Sequence, residues 1–225
     1  VIAEIEKRFR FSTDLTDPTT ATITFDDGYL NQYEIAARVL GDRPAILFVV
    51  GENLNNTDPT RCLVTDALTH WISFAEVARF DNCCAADRMR IWREELRSRF
   101  AADGVRRGRG VLETCDRDYP LKKVFGKFAK EYLRLRLTGV TEAHVQDLRA
   151  RGWKVGWHTQ SHFPLSQLSD GDQVRELTPP ALFRGTVMAY PFGCPGSIDE
   201  KTALLAERAG NFAALSAVND VLDWT

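Results

Sequence analysis

Two acidic residues stand side by side at Asp26-Asp27, and two histidines stand four positions apart at His158 and His162. Adjacent carboxylates repel when both are ionised, so a chain that keeps them has a reason to do so. A bound cation is one reason: one Asp ligates it while the other stays free to accept a proton. A helix cap is another, because Asp is common at strand-to-helix turns, and Thr22 to Tyr29 taken alone favour the cap. The His-x-x-x-His spacing can aim two imidazoles at one ion, from a helical turn or from a loop leaving a strand. That spacing also occurs by chance, but the chain has only four histidines and two of them fall here. Two neutral nitrogens and one carboxylate oxygen are the three-ligand set of a catalytic zinc site, whose fourth position holds water.

The elements that must position these groups read as alternating strands and helices. Ala21, Ile23 and Phe25 alternate with Thr20, Thr22 and Thr24, which predicts a strand with one apolar face running into Asp26. Ile35, Ala36, Val39 and Leu40 predict the inner face of a helix ended by Gly41. Ala45 to Val50 form a continuous apolar run, expected of a strand buried on both faces. Strand, helix and strand at this spacing mean a parallel βαβ unit. Thr141 reads as the N-cap of a helix through Val145 and Leu148, and Lys154 to Trp157 as a strand delivering His158. Thr186 to Tyr190 reads as another strand, Ser197 with Glu200 as a capping box, and Phe212 to Val218 as a last strand. Polar residues gathered at strand C-termini fit the barrel rule that chemistry sits on that face.

The chain's 225 residues suit one α/β domain spanning 1–225, with a helical insertion at about 68–138. Two stripes mark the insertion: Met89, Trp92, Leu96 and Phe100, then Leu121, Val124, Phe125, Phe128, Tyr132 and Leu135. The formal charge of −2 argues against nucleic acid as a partner. Between Asp87 and Arg136, however, 15 Lys/Arg stand against 8 Asp/Glu, a net +7 that leaves −9 elsewhere. A solvated helical surface accounts for this, and so does a face for an anionic partner. Five cysteines (Cys62, Cys83, Cys84, Cys115 and Cys194) without a CxxC give neither a disulfide framework nor a thiolate zinc site, so a cytoplasmic, reducing location is expected. No apolar run reaches the length of a transmembrane segment, and the opening Val allows for a processed N-terminus.

Phe25-Asp26-Asp27-Gly28-Tyr29, His158-Thr159-Gln160-Ser161-His162 and Tyr190-Pro191-Phe192-Gly193 resemble, in order and context, three motifs of the polysaccharide deacetylases. That group is the NodB-homology family, carbohydrate esterase family 4. The resemblance runs from about Thr20 to the chain's end and implies a distorted (β/α) barrel of the NodB-homology type. It implies Asp26 as general base, and Asp27, His158 and His162 as ligands of a divalent metal, usually Zn2+. It implies that Phe192 offers a backbone N–H to an oxyanion and that Pro191 fixes that loop. Asp220 to Trp224 looks like the fourth motif, in which Asp223 orients a catalytic histidine and Trp224 walls the acetyl pocket beside Tyr190. A terminal amphipathic segment explains those residues equally well. The chain departs from the pattern twice. Ala189 stands where the third motif usually has Arg, and within these 225 residues no histidine follows His162 to serve as general acid, so either the sequence is cut short or another group protonates the leaving amine. His70 is the remaining candidate, and a structural role suits it better.

The implied activity is hydrolysis of an N-acetyl group on an amino sugar, in a glycan or a glycan precursor. The basic insertion would suit an anionic N-acetylated saccharide. The alternatives are a metal-loaded, non-catalytic glycan-binding module on the same fold, or a related deformylase or amide hydrolase.

Overall fold

Ala45 to Val50 are no more than 1% exposed, and the strand they form is the one around which the sheet is arranged. The computed structural model describes residues 2–58, 134–193, 196–211 and 213–216. In chain order these give α1 (Ile2–Ile5), β1 (Arg10–Phe11), β2 (Thr20–Ala21), β3 (Thr24–Phe25), α2 (Ala37–Leu40) and β4 (Ile46–Val49). After the break come α3 (Glu142–Ala150), β5 (Lys154–Trp157), α4 (Asp170–Leu177), β6 (Met188–Ala189), α5 (Glu200–Arg208) and β7 (Ala214–Leu215). The expected insertion, with both of its stripes, His70 and Cys83, Cys84 and Cys115, lies almost wholly outside the described residues, as do Cys62 and Cys194.

Five strands pair in the order β3-β4-β5-β6-β7, every pair parallel. Each strand lies beside its predecessor, so the chain winds one way round, as in a (β/α) barrel, with no reversal of the doubly wound kind. The outcome is a curled half-barrel. Strand β4 is buried throughout because its neighbours cover both edges and side chains pack on both faces. Leu47, Val49, Val145, Leu148, Val155 and Trp157 form much of one core cluster, each worth about 1.5–3 kcal/mol of burial. Gly156 lets the sheet close: a Cβ there would lie 2.1 Å from the carbonyl oxygen of Val187.

The expected strand over Thr20 to Phe25 is two strands. Thr20–Ala21 pairs with Arg10–Phe11 in a separate ribbon, and only Thr24–Phe25 joins the main sheet. Its alternation holds, since Ile23 and Phe25 pack on the core and Thr24 is exposed. β6 is also shorter than the expected strand over Thr186 to Tyr190, and of the expected strand over Phe212 to Val218 the described residues 213–216 place Ala214–Leu215 in the sheet.

The helix after β3 differs more. Gln32–Ala36 form a π-helical turn ahead of α2, so the wider turn rotates the apolar stripe. Ala37 and Leu40 are buried, whereas Ile35 and Val39 are 42% and 63% exposed. The capping box of α5 sits two residues beyond Ser197: Asp199 accepts from Thr202 N, and Thr202 Oγ1 accepts from Asp199 N. Ser197 is buried, and its carbonyl accepts from Ser166 N. Thr141 does cap α3, reciprocated by His144, whose ring stacks on Tyr33.

Candidate metal centre

Asp26 and Asp27 lie where β3 ends, in a turn the sequence makes with two consecutive left-handed residues, Asp27 (φ 76°) and Gly28 (φ 73°). Glycine is needed at the second, because a Cβ on Gly28 would sit 2.9 Å from Val49 Cγ1. Side chains further along the chain hold the turn. Gln32 donates to the Asp26 carbonyl through Nε2 and accepts from Tyr29 N through Oε1. Asn53, 1% exposed, donates to the Asp27 carbonyl at 3.0 Å. The carboxylate of Asp27 is left to point elsewhere. Its Oδ1 is buried and accepts no hydrogen bond, which is not how a helix cap behaves.

His158 leaves β5 with 1% of its surface exposed. Its Nδ1 lies 2.7 Å from the Ala189 carbonyl at the end of β6. A carbonyl only accepts, so Nδ1 carries the hydrogen and the Nε2 lone pair stays available. That Nε2 is 3.6 Å from Asp27 Oδ1. The loop then returns through two left-handed residues, Thr159 (φ 66°) and His162 (φ 58°), closed by His162 N donating to Thr159 Oγ1 at 3.2 Å. His162 Nε2 ends 3.1 Å from the same Asp27 Oδ1. Burial lowers the His162 pKa to about 4; the Asp27 charge opposes the drop and His158 adds to it. His162 is therefore a neutral imidazole at ordinary pH, the form that ligates metals.

One donor atom from each of Asp27, His158 and His162 lies within 4.8 Å of the other two. A buried carboxylate oxygen with no donor, facing two imidazole nitrogens, is a poor arrangement for an empty protein interior. It fits a cation that prefers mixed nitrogen and oxygen ligands. A possible metal-binding triad is thus present, built from the ends of β3 and β5.

The other expected site residues fall around it. Asp26 is exposed as a residue, yet enough protein surrounds its carboxyl that desolvation raises its pKa above the usual aspartate value; His158 opposes the rise and Asp27 adds to it. Phe192, a third bulky residue in the left-handed region (φ 62°), brings its ring to 4.8 Å from that of His162. Pro191 is buried beneath it, and its carbonyl accepts from Gly193 N in a tight turn. Tyr190 packs half-buried on the core, and burial raises its phenol pKa. Asp223 and Trp224 lie outside the described residues.

A cavity of ≈630 Å³ opens beside the turn, lined by Asp26, Asp27, Tyr29, Gln32 and Arg136 among others. A second, of ≈650 Å³, lies at the N-terminal ends of β5 and β6, around Trp153, Lys154 and Arg184, and shares none of the three donors. No helix among the described residues is long and apolar enough to cross a membrane.

Sequence reasoning missed Gln32, Asn53 and Glu176, which hold the two ligand-bearing loops. Each is an ordinary polar residue with no spacing signal.

No protein-family model matches the sequence, and no curated protein matches it. Similar solved structures include two deacetylases. One is a de-N-acetylase from Aggregatibacter actinomycetemcomitans, 12% identical, with 94% of this chain and 72% of that one covered at a TM-score of 0.50. The other is the Streptococcus pyogenes deacetylase PplD in complex with acetate, 14% identical, with 91% of this chain covered at a TM-score of 0.48. This chain spans 64% of the length of the streptococcal protein. At 12% identity the likeness to the Aggregatibacter protein is one of fold alone.

Proposed function

We propose that this chain is a hydrolase that removes an N-acetyl group from an amino sugar, using a divalent cation, zinc first, held by Asp27, His158 and His162. The observation that carries this reading is Asp27 Oδ1, buried without a hydrogen bond and 3.1 and 3.6 Å from two imidazole nitrogens. The three motifs that resemble NodB-homology deacetylases converge around that atom, which supports the same reading. A cation bound there supplies Lewis acidity to the acetyl carbonyl and to water.

The chain's own groups do the rest. Asp26 takes the proton of the attacking water at its carboxylate, and its raised pKa makes it a better-matched base than an ordinary aspartate. His158, oriented by the Ala189 carbonyl, keeps its Nε2 lone pair on the site. Phe192 N–H donates to the oxyanion that develops on the attacked amide, with Pro191 fixing its turn. By the family resemblance, Tyr190 contacts the substrate, Trp224 walls the acetyl pocket and Asp223 orients a catalytic histidine. The amide C–N bond breaks as the leaving nitrogen takes up the proton that Asp26 accepted from water, giving acetate and a free amine. The basic excess between Asp87 and Arg136 favours anionic saccharides.

The test is acetate release from N-acetylated saccharides by the zinc-supplemented chain. Asp26→Asn is expected to lower turnover by about 10²–10⁴-fold while leaving zinc binding intact. Zinc and saccharide binding without any acetate release would replace the enzyme with a glycan-binding module. Release of formate, or opening of another amide, in place of acetate release would move the activity to the related hydrolases.

A further inference from the structure

We propose that Glu176 is a positioning residue for His162, acting through Ser161; this rests on the reading of Asp27, His158 and His162 as metal ligands. Glu176 lies in the last turn of α4, where the carbonyl end of a helix disfavours a carboxylate. Its placement is explained by what it holds. Glu176 Oε2 accepts from Ser161 N at 2.8 Å, and Oε1 accepts from Ser161 Oγ. Its backbone carbonyl accepts from Trp157 Nε1 at 3.1 Å. One residue therefore grips the chain just before His158 and just before His162.

The loop between the histidines is tied down in two halves. The first half belongs to the sheet: Gly51 N donates to the Thr159 carbonyl at 2.9 Å and Glu52 N to the Gln160 carbonyl at 2.8 Å. Those bonds continue the β4–β5 ladder and place His158. The second half, Ser161-His162, has left the ladder, and His162 sits in the left-handed region. Among its ties are His162 N to Thr159 Oγ1 and the pair of bonds from Ser161 to Glu176. Ser161 is 8% exposed, so water is a poor substitute for Glu176 there. Losing the carboxylate frees the half of the loop that carries His162 and leaves the half that carries His158 in place.

The experiment measures Zn2+ affinity of the full chain by competition with a chelating dye, alongside thermal melting. Glu176→Ala is expected to weaken zinc by about 10- to 100-fold. Glu176→Gln and Ser161→Ala each leave one of the two bonds and are expected to weaken it less. The double variant Glu176→Ala/Ser161→Ala should be no weaker than Glu176→Ala by more than about twofold, because both changes break one contact. A Glu176→Ala protein that melts lower but binds zinc within twofold of the parent would leave Glu176 a structural residue and overturn the proposal. Should Glu176→Ala fail to fold, unchanged zinc affinity in both Glu176→Gln and Ser161→Ala overturns it equally. A parent chain whose zinc binding is indifferent to Asp27→Ala removes the ligand reading itself, and this inference with it. Sensitivity to Asp27→Ala but not to Glu176→Ala removes this inference alone.

Discussion

Strands β4 and β5 and the loops that leave β3, β5 and β6 lie a few residues apart and follow opposite rules. Within the strands the ladder is regular from Ile46↔Lys154 to Val49↔Trp157, and all but Lys154 are buried. Beyond their ends stand Asp27, Thr159, His162 and Phe192, four of the five non-glycine residues with positive φ among the described residues. For Thr and Phe such a conformation is a true outlier, costing on the order of 1–3 kcal/mol. The same small region holds the orphaned Oδ1 of Asp27. The contrast teaches that the sheet is the rigid frame and the loops carry the unfavourable geometry that aims side chains at one point.

The comparison can be attacked first from the frame. Leu47→Ala, a fully buried β4 position, is expected to cost about 2–5 kcal/mol in a urea titration. A loss below 1 kcal/mol would mean that the frame is softer than its packing implies. The loops are expected to answer to pH. Burial holds His162 at about 4 in the folded chain against 6.5 unfolded, so between those values unfolding takes up about one proton. Stability is full above about 6.5 and falls as the pH drops toward 4, by roughly 3 kcal/mol at most. Urea midpoints of chelator-treated protein check this, and His162→Asn should flatten the slope.

The joint between frame and loop comes next. Gly28→Ala sets a left-handed Ala against Val49 and is expected to cost roughly 1–3 kcal/mol, with zinc affinity falling as Asp27 is displaced. A stable variant with parental zinc affinity would show that the turn has slack. The smallest effect belongs to a surface pair away from both regions. Arg134→Ala breaks the bidentate bridge to Glu34, and a change of about 0–1 kcal/mol is expected in the same titration.

What the sequence discloses follows the same division. The buried run of β4, the delivery of His158 by β5 and the cap at Thr141 are local patterns with local physics, and all are found. The histidine pair was readable because the chain has only four histidines and two of them follow a patterned strand, whereas the choice of Asp27 over Asp26 came from the family resemblance alone. The outward turn of Ile35 and Val39 was not readable, because a 3.6-residue period says nothing of an inserted π turn. The α5 cap was misread: Ser197 with Glu200 matches the usual capping-box pattern, whereas the cap that forms uses Thr202 in the reciprocal role with Asp199, a pairing that pattern does not contain, and Ser197 is buried instead. Gln32, Asn53 and Glu176 act through contacts across loops, which spacing along a chain does not encode.

Asp27 and His158 come from β3 and β5, which never touch, because β4 runs between them. In a flat sheet strands two apart are separated by roughly 10 Å. Here side chains from beyond their ends approach to 3.6 Å, so the two groups reach across the end of β4. Whatever grips both also ties β3 to β5 across the strand between them, and at a hundredfold excess over its dissociation constant adds about 2.7 kcal/mol to the stability of the fold. Loading of the site and stiffness of the scaffold should then rise and fall together, as a hasp and its frame do.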